Sequence, residues 1–275
     1  MLVLGIDLAW GEGTATAPAN ETGVVAATPD GRIIDAGWTV GVDATIEWIE
    51  RLTGSDDALV FIDAPLMVRN PNGQRQCERE VGQRYGKWKV SANSTNLASK
   101  HLGGVELRRR LETLGWAYDD GRGGPPTTGR HLSECYPYTT LVGAAELGYD
   151  DARPVYKRKP KKLPVAEFRA QRAAVCDDMI QRIDTDLRIA DPPLLLGSHP
   201  TTALLASVGS PLIDKAYKTR EDLLDAVVCA WTGLLWLRWG FERCQVLGAD
   251  DADTSPVATI IAPYRPEQRP QLTAS

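Results

Sequence analysis

The sequence predicts an α/β protein built on a mixed sheet. Residues 2–7 form a short apolar run with one carboxylate, Asp7, at its end. Such a run, without polar alternation, is typical of a strand buried on both faces of a sheet. Residues 22–28 and 32–40 read as two further strands around a Pro-Asp-Gly turn, so the chain opens with an antiparallel hairpin. A helical pattern and another apolar run, at 58–63, follow.

The apolar run after the first helix ends in a second aspartate, Asp63. The helix itself is predicted to begin with Asp43 as its N-cap and to end at Gly54. A strand, a crossover helix and a second strand place the two strands parallel, with their carboxyl ends at one edge of the sheet. Because sites in open α/β sheets form at that edge, we expect Asp7 and Asp63 to lie together. For a lone aspartate on such a strand, a paired structural role is the favoured interpretation, and the recurrence of the pattern is what favours a site.

Residues 66–130 are predicted to be a long insertion over the strand ends, with short helices at 75–85 and 105–114. The remaining predicted elements are a strand at 131–136, helices at 139–147, 165–187 and 220–239, helical pieces at 192–213, and a strand at 257–262. We therefore expect a single domain over residues 1–262 and a C-terminal tail at 263–275.

Composition narrows the class of protein. The net charge of −5 provides no general attraction to nucleic acid, so any such binding requires a local basic patch. The five cysteines are scattered and lack CxxC spacing, which predicts reduced thiols in a cytoplasmic protein. No basic segment precedes the first apolar run, so no signal peptide is predicted. The apolar stretch 223–241 contains Asp225 and Arg238, which favours a buried helix over a membrane span.

The last long helix carries two of the acids that matter most. Thr219 is predicted to cap it, with Asp222 in its first turn and Asp225 three residues later on the same face. Two like charges at this spacing repel each other unless a cation lies between them. The alternative is that Asp222 interacts with the helix dipole and Asp225 is exposed to solvent.

Five acids fall on strand ends and on this helix: Asp7, Asp63, Glu134, Asp222 and Asp225. Convergent carboxylates in a partly buried place cannot all ionise without a counter-charge. Hard oxygen ligands with few nearby His or Cys residues suit Mg²⁺ or Mn²⁺. Two such ions about 4 Å apart activate water and stabilise the leaving oxygen in phosphodiester hydrolysis. The pattern therefore predicts a divalent-metal site.

Several short motifs also carry a family resemblance. They are Gly5-Ile-Asp-Leu-Ala-Trp10, Ile62-Asp-Ala-Pro-Leu66, Arg75-Gln-Cys77, Glu134-Cys-Tyr-Pro137, Tyr156-Lys157 and Asp222-Leu-Leu-Asp-Ala226. In this order they resemble domain-of-unknown-function family 429, which is described as predicted nucleases of RNase H-like fold. The resemblance implies an RNase H-like core, with Asp7, Asp63, Asp222 and Asp225 at metal-binding positions. Glu78 departs from the pattern, since an aspartate is expected after Cys77.

Two basic residues are candidates for binding a substrate phosphate. Arg75 carries the bidentate guanidinium that suits phosphate, although a solvated helix face is the alternative. Lys157 is chosen because the family motif places a lysine after Tyr156. It opens a basic run that also contains Arg158, Lys159, Lys161 and Lys162, and a charged surface linker is the alternative for the whole run.

The leading functional hypothesis is a metal-dependent phosphodiesterase or nuclease acting on nucleic acid or another phosphodiester. In this hypothesis Asp7 bridges the metal ions, Asp63 and Asp225 complete their coordination, Asp222 and Glu134 support them, and Lys157 and Arg75 bind phosphate. A second hypothesis is a phosphotransferase of the actin-like ATPase group, because residues 7–14 resemble its first phosphate loop. That group duplicates its core, and the sequence shows no second copy. The third is a non-catalytic binding protein that keeps the fold.

Overall fold

The computed structural model describes residues 1–11, 13–14, 17–158, 160, 162–251 and 256–268. Its strands are β1 (Leu2–Asp7), β2 (Gly13–Thr14), β3 (Ala17–Pro18), β4 (Glu21–Ala27), β5 (Ile33–Val40), β6 (Ala58–Ile62), β7 (Ala117–Tyr118), β8 (Arg130–Glu134), β9 (Cys244–Leu247) and β10 (Ile260–Pro263). Its α-helices are α1 (Gly41–Thr53), α2 (Gln76–Tyr85), α3 (Gly103–Thr113), α4 (Pro137–Gly143), α5 (Val165–Asp186), α6 (Pro200–Ser207) and α7 (Asp214–Trp239).

One mixed sheet organises the fold. Within the described residues it contains six strands in the order β5-β4-β1-β6-β8-β7. β4 is antiparallel to both β1 and β5, whereas β6 is parallel to β1 and β8 is parallel to β6 and β7. The predicted α/β class, the opening hairpin and the parallel pairing of the first and fourth long strands are confirmed.

Alternation along the central strand separates two hydrophobic cores. Val3 of β1 packs in the core that includes α7, whereas Leu4 and Ile6 pack in the core that includes α1 and α3. All three side chains are fully buried. Because successive residues of a strand point to opposite faces, the face of Val3 is also the face of Gly5 and Asp7.

Two glycines allow α7 to lie directly on the sheet. A Cβ atom at Gly5 would be 2.1 Å from the carbonyl oxygen of Ala226, and one at Gly23 would be 2.0 Å from that of Asp222. Gly23 of β4 is the pairing partner of Asp7 on β1. Contact between the backbones of helix and sheet therefore brings the acidic turn of α7 beside the end of β1.

Part of the predicted insertion at 66–130 belongs to the core of the domain. Helix α3 buries Leu107 and Leu111 in the same core as α1. Its first residue, Gly103, lies against the loop after β1, since a Cβ there would be 2.8 Å from the carbonyl oxygen of Trp10. This region therefore includes a helix that supports the sheet as well as segments near the strand ends.

Two predicted helix caps are wrong. Helix α7 begins at Asp214, so Thr219 lies inside it, where its hydroxyl bonds to Glu21 and to the Lys215 carbonyl. The extra turn forms because Tyr217 is buried, which a search for capping residues does not detect. In α1 the N-cap is Val40, and Asp43 lies in the first turn.

The C-terminal region pairs more extensively than the sequence indicates. β9 was not predicted, and it forms an antiparallel pair with β10, which falls at the predicted strand 257–262. Beyond it, the Tyr85 hydroxyl donates to the Pro263 carbonyl at 2.5 Å, and Arg265 donates to the Val142 carbonyl at 2.7 Å. The first residues of the predicted tail are thus packed, while residues 269–275 lie outside the described residues.

All five cysteines, each within the described residues, are buried and form no disulfide. None of the helices in the described parts of the chain combines the length and apolar character needed to cross a bilayer.

Candidate metal site

Three of the predicted acids converge at the carboxyl edge of the sheet. Asp7 ends β1, Asp63 follows β6, and Asp225 projects from α7. One carboxylate oxygen from each lies within 4.8 Å of the other two. The alternation of side chains along a strand explains why Asp63 lies near Asp225. Phe61 packs in the core that includes α7, and Asp63 is two residues further along on the same face of the sheet.

Asp225 is the most enclosed of the three acids. It is fully buried, and the hydroxyl of Tyr156, itself fully buried, donates to Oδ1 at 2.6 Å. The ammonium group of Lys157 forms an ion pair with Oδ2. A buried carboxylate requires such partners, since an isolated charge in this environment is very costly.

Asp222 lies one helical turn before Asp225, beside Asp7 rather than inside the group of three. Its carboxylate is 2.5 Å from the Lys218 ammonium, and it also contacts the Asp7 side chain, with which it shares a hydrogen bond when one of the two acids holds a proton. Lys218 contacts Glu221 as well, at 3.1 Å. Lys218 was not predicted, although its position four residues before Asp222 is the spacing of a helical ion pair.

The acids perturb one another's ionisation. Burial, followed by the charges of Asp225 and Asp63, raises the pKa of Asp7 well above its usual range. Burial also raises the pKa of Asp63 to about 7, against the opposing effect of Lys157. Burial alone would lower the pKa of Lys157, but Asp225, Asp7 and Asp63 raise it. The raised pKa values of Asp7 and Asp63 indicate that Lys157 and Lys218 only partly offset the burial and mutual repulsion of these acids.

Glu134, predicted as a supporting ligand, does not join this group. Its carboxylate receives two hydrogen bonds from Arg75, at 2.6 and 2.8 Å, and one from the Leu66 amide at 3.0 Å. The physical reason is alternation, since Glu134 pairs with Ile62 and shares its face, which is opposite to that of Asp63.

Arg75 was predicted to bind phosphate, and its position argues against that role. The side chain is 3% exposed, and its Nε donates to Glu78 at 2.9 Å while its other nitrogens bond Glu134 and the Met67 carbonyl. Glu78, the departure from the family motif, also accepts from the Thr95 amide at 3.0 Å. This buried network holds the segment after β6 in place.

A cleft of about 330 Å³ opens beside the acids. Its acidic side includes Asp7, Asp63 and Asp222. The other residues that matter for binding are basic or aromatic: Arg153, Lys157, Arg158, Lys218, Trp10, Tyr136 and Tyr138. The cleft therefore places carboxylates and cationic side chains around one space.

Both arginines of this cleft contact neighbouring groups. The Arg153 guanidinium lies 4.2 Å from the centre of the Tyr138 ring and donates to the Lys89 carbonyl. Arg158 donates to the Asn93 side chain at 3.0 Å. Each arginine has five N–H donors, so donors are left for an anion. Of the predicted basic run, Lys157 and Arg158 reach the cleft, whereas Lys159 and Lys161 lie outside the described residues.

Comparison with known families identifies the chain. A family model described as "Protein of unknown function (DUF429)" matches residues 5–252. The chain belongs to this family. The match includes Asp7, Asp63, Lys157, Asp222 and Asp225, so the site described above lies within the DUF429 region. No curated protein and no solved structure matched the sequence.

The ligand set of this DUF429 protein fits a hard divalent cation. All three converging donors are carboxylates, and each lies on a different structural element held by the core. Oxygen donors of this kind suit Mg²⁺ or Mn²⁺ better than softer metals. Full ionisation of these acids would leave negative charge that the neighbouring lysines do not offset, and a divalent ion would supply the missing counter-charge.

Proposed function

We propose that this protein is a divalent-metal-dependent phosphodiesterase, and specifically a nuclease. The observation that carries the proposal is the convergence of Asp7, Asp63 and Asp225 within 4.8 Å, beside a cleft lined by basic side chains. Phosphodiesters are anionic, so a metal-binding cluster and cationic residues in one cleft suit their hydrolysis.

We also propose that the fold is RNase H-like. Two features support this assignment: the sheet opens with an antiparallel hairpin on β1, and it continues with strands parallel to β1. The acids stand at the carboxyl ends of those parallel strands, and α7 supplies the others from one face.

In this proposal Asp7, Asp63 and Asp225 hold the metal ion, and Asp222, which lies beside Asp7, supports that ligand. A bound ion would supply Lewis-acid activation of water and of the phosphodiester. The chain's own contribution is to hold the substrate: Arg153 and Arg158 bind its phosphate, and Tyr156 keeps Asp225 in position.

The test is metal binding followed by a cleavage assay. We expect Mn²⁺ to raise the melting temperature of the wild type, and to support cleavage of single-stranded or double-stranded oligonucleotides. Asp7→Asn should lose both effects while keeping a cooperative unfolding transition. Asp56→Asn, at an exposed position before β6, is the matched control and should behave as wild type. Unchanged Mn²⁺ stabilisation in Asp7→Asn would refute the proposed site.

The same measurement separates the rival functions. Stabilisation by ATP rather than by Mn²⁺ alone would favour the actin-like phosphotransferase. Absence of any response to Mn²⁺ and to ATP would favour a binding protein. Anomalous density beside the three acids in a crystal soaked with Mn²⁺ would locate the ion directly.

A further inference from the structure

Lys157 stands among the same acids that form the candidate metal site. Its ammonium group forms an ion pair with Asp225, and the charges of Asp7 and Asp63 also act on it. The side chain is 21% exposed and lines the cleft. Lys157 therefore touches both the acids and the space where a substrate would bind.

A divalent ion would compete with Lys157 for these carboxylates. Both oxygens of Asp225 are engaged, Oδ1 by Tyr156 and Oδ2 by Lys157. An ion held by Asp7, Asp63 and Asp225 would be drawn to the region of negative charge that attracts the ammonium group. Two cations this close repel each other strongly in a partly buried site. The lysine and the ion should therefore exclude one another.

Lys157 is the partner that has freedom to leave. A lysine carries a compact charge on a flexible four-carbon stem, and this one reaches the cleft, whereas Tyr156 is fully buried. The same cleft contains Arg153 and Arg158, each of which also donates a hydrogen bond to a neighbouring group. A lysine turned away from the acids would join these two arginines around an anion.

We propose that Lys157 is an exchangeable counter-ion, an inference that rests on the proposed metal-dependent function. Without a divalent ion, its ammonium group neutralises the acids. When the ion binds, the side chain swings into the cleft and, with Arg153 and Arg158, binds a phosphodiester group. Metal binding therefore prepares the phosphate site, and the order is metal first, substrate second.

The first experiment measures Mn²⁺ affinity from the free-Mn²⁺ signal in electron paramagnetic resonance. Lys157→Met keeps the length of the side chain and removes its charge, so we expect Mn²⁺ to bind at least about tenfold more tightly than to wild type. Lys157→Arg should retain wild-type affinity within a few-fold. Lys162→Met, in the same connector and exposed, is the matched control and should have no effect.

The second experiment follows Lys157 itself. In protein labelled with ¹³C-lysine, its Cε resonance, assigned with Lys157→Arg, should shift when Mg²⁺ is added. It should shift again on addition of dimethyl phosphate in the presence of Mg²⁺ but not in its absence. The Lys162 resonance should stay constant in both titrations.

The outcomes separate the two proposals. If neither wild type nor Lys157→Met binds Mn²⁺, the metal-dependent function and the exchange both fail. If both bind Mn²⁺ with equal affinity, or the Lys157 resonance does not respond to Mg²⁺, the exchange alone fails. A Lys157→Met variant that binds Mn²⁺ more weakly would instead assign Lys157 to stabilising the metal-bound state.

Discussion

Asp63 provides the sharpest quantitative prediction, through the substitution Asp63→Asn. Burial raises the pKa of Asp63 to about 7 in the folded protein, compared with about 3.9 in an unfolded chain. Between these two values the folded protein holds a proton that the unfolded chain has lost. The stability of the metal-free wild type should therefore fall as pH rises from about 4 to about 7.

The difference of about 3 pKa units corresponds to about 4 kcal/mol, which is an upper limit for this partly buried group. The amide introduced by Asp63→Asn cannot ionise, so above pH 7 the variant should be more stable than wild type by as much as this amount. Below about pH 4 the two proteins should have similar stability. The assay is urea denaturation with EDTA present, from pH 3.5 to pH 8.5.

Asp56→Asn is the control, because it removes an exposed carboxylate close in sequence to Asp63. The difference in the free energy of unfolding between this control and wild type should be constant across the pH range. Adding Mn²⁺ at pH 8 should stabilise wild type and the control more than it stabilises Asp63→Asn. If the wild type and Asp63→Asn show parallel pH profiles, the pKa of Asp63 is not raised in the folded protein.

Further substitutions test the packing and the partners of the site. Gly5→Ala should destabilise the protein by about 3 kcal/mol or more because its Cβ would meet the Ala226 carbonyl, whereas Gly37→Ala, with no atom within 4 Å, should cost under about 1 kcal/mol in urea denaturation. Arg75→Leu should cost about 3–5 kcal/mol by leaving the buried Glu134 carboxylate unpaired, yet leave the Mn²⁺ dissociation constant within a few-fold of wild type. Loss of Mn²⁺ binding in that variant would show that the Arg75–Glu134 network supports the acids at the strand ends. Tyr156→Phe should cost about 1–3 kcal/mol by removing the hydrogen bond to Asp225, and an unchanged stability would contradict the buried contact.

The sequence was most informative where a single periodicity decided the outcome. Apolar runs ending in Asp7 and Asp63 predicted two parallel strands, and the structure places both acids on the α7 side of the sheet. The same reasoning placed Glu134 in the site, because it considered which edge of the sheet a residue reaches. It did not consider which face the residue points to, and the register with Ile62 turns Glu134 to the other side.

Other features depend on tertiary contacts that no local pattern records. Helix α7 begins at Asp214, earlier than predicted, because Tyr217 is buried. The predicted cap, Thr219, is therefore an interior residue of the helix. Lys157 was noticed only through the family motif, since a basic run on its own predicts a surface linker. The hydrogen bond from Tyr156 to Asp225 connects residues that are 69 positions apart, so no local spacing in the sequence could predict it.

The direct packing of α7 against the strand backbone determines which substitutions can alter the positions of the acids. At Gly5 and Gly23 no side chain lies between helix and strands, so main-chain contact sets the distance between the backbones that carry Asp7 and Asp225. Substitutions among the surrounding Leu, Val and Ile side chains can raise or lower the free energy of unfolding while this backbone distance stays the same. The melting temperature and the Mn²⁺ affinity should therefore vary independently among variants that keep these two glycines.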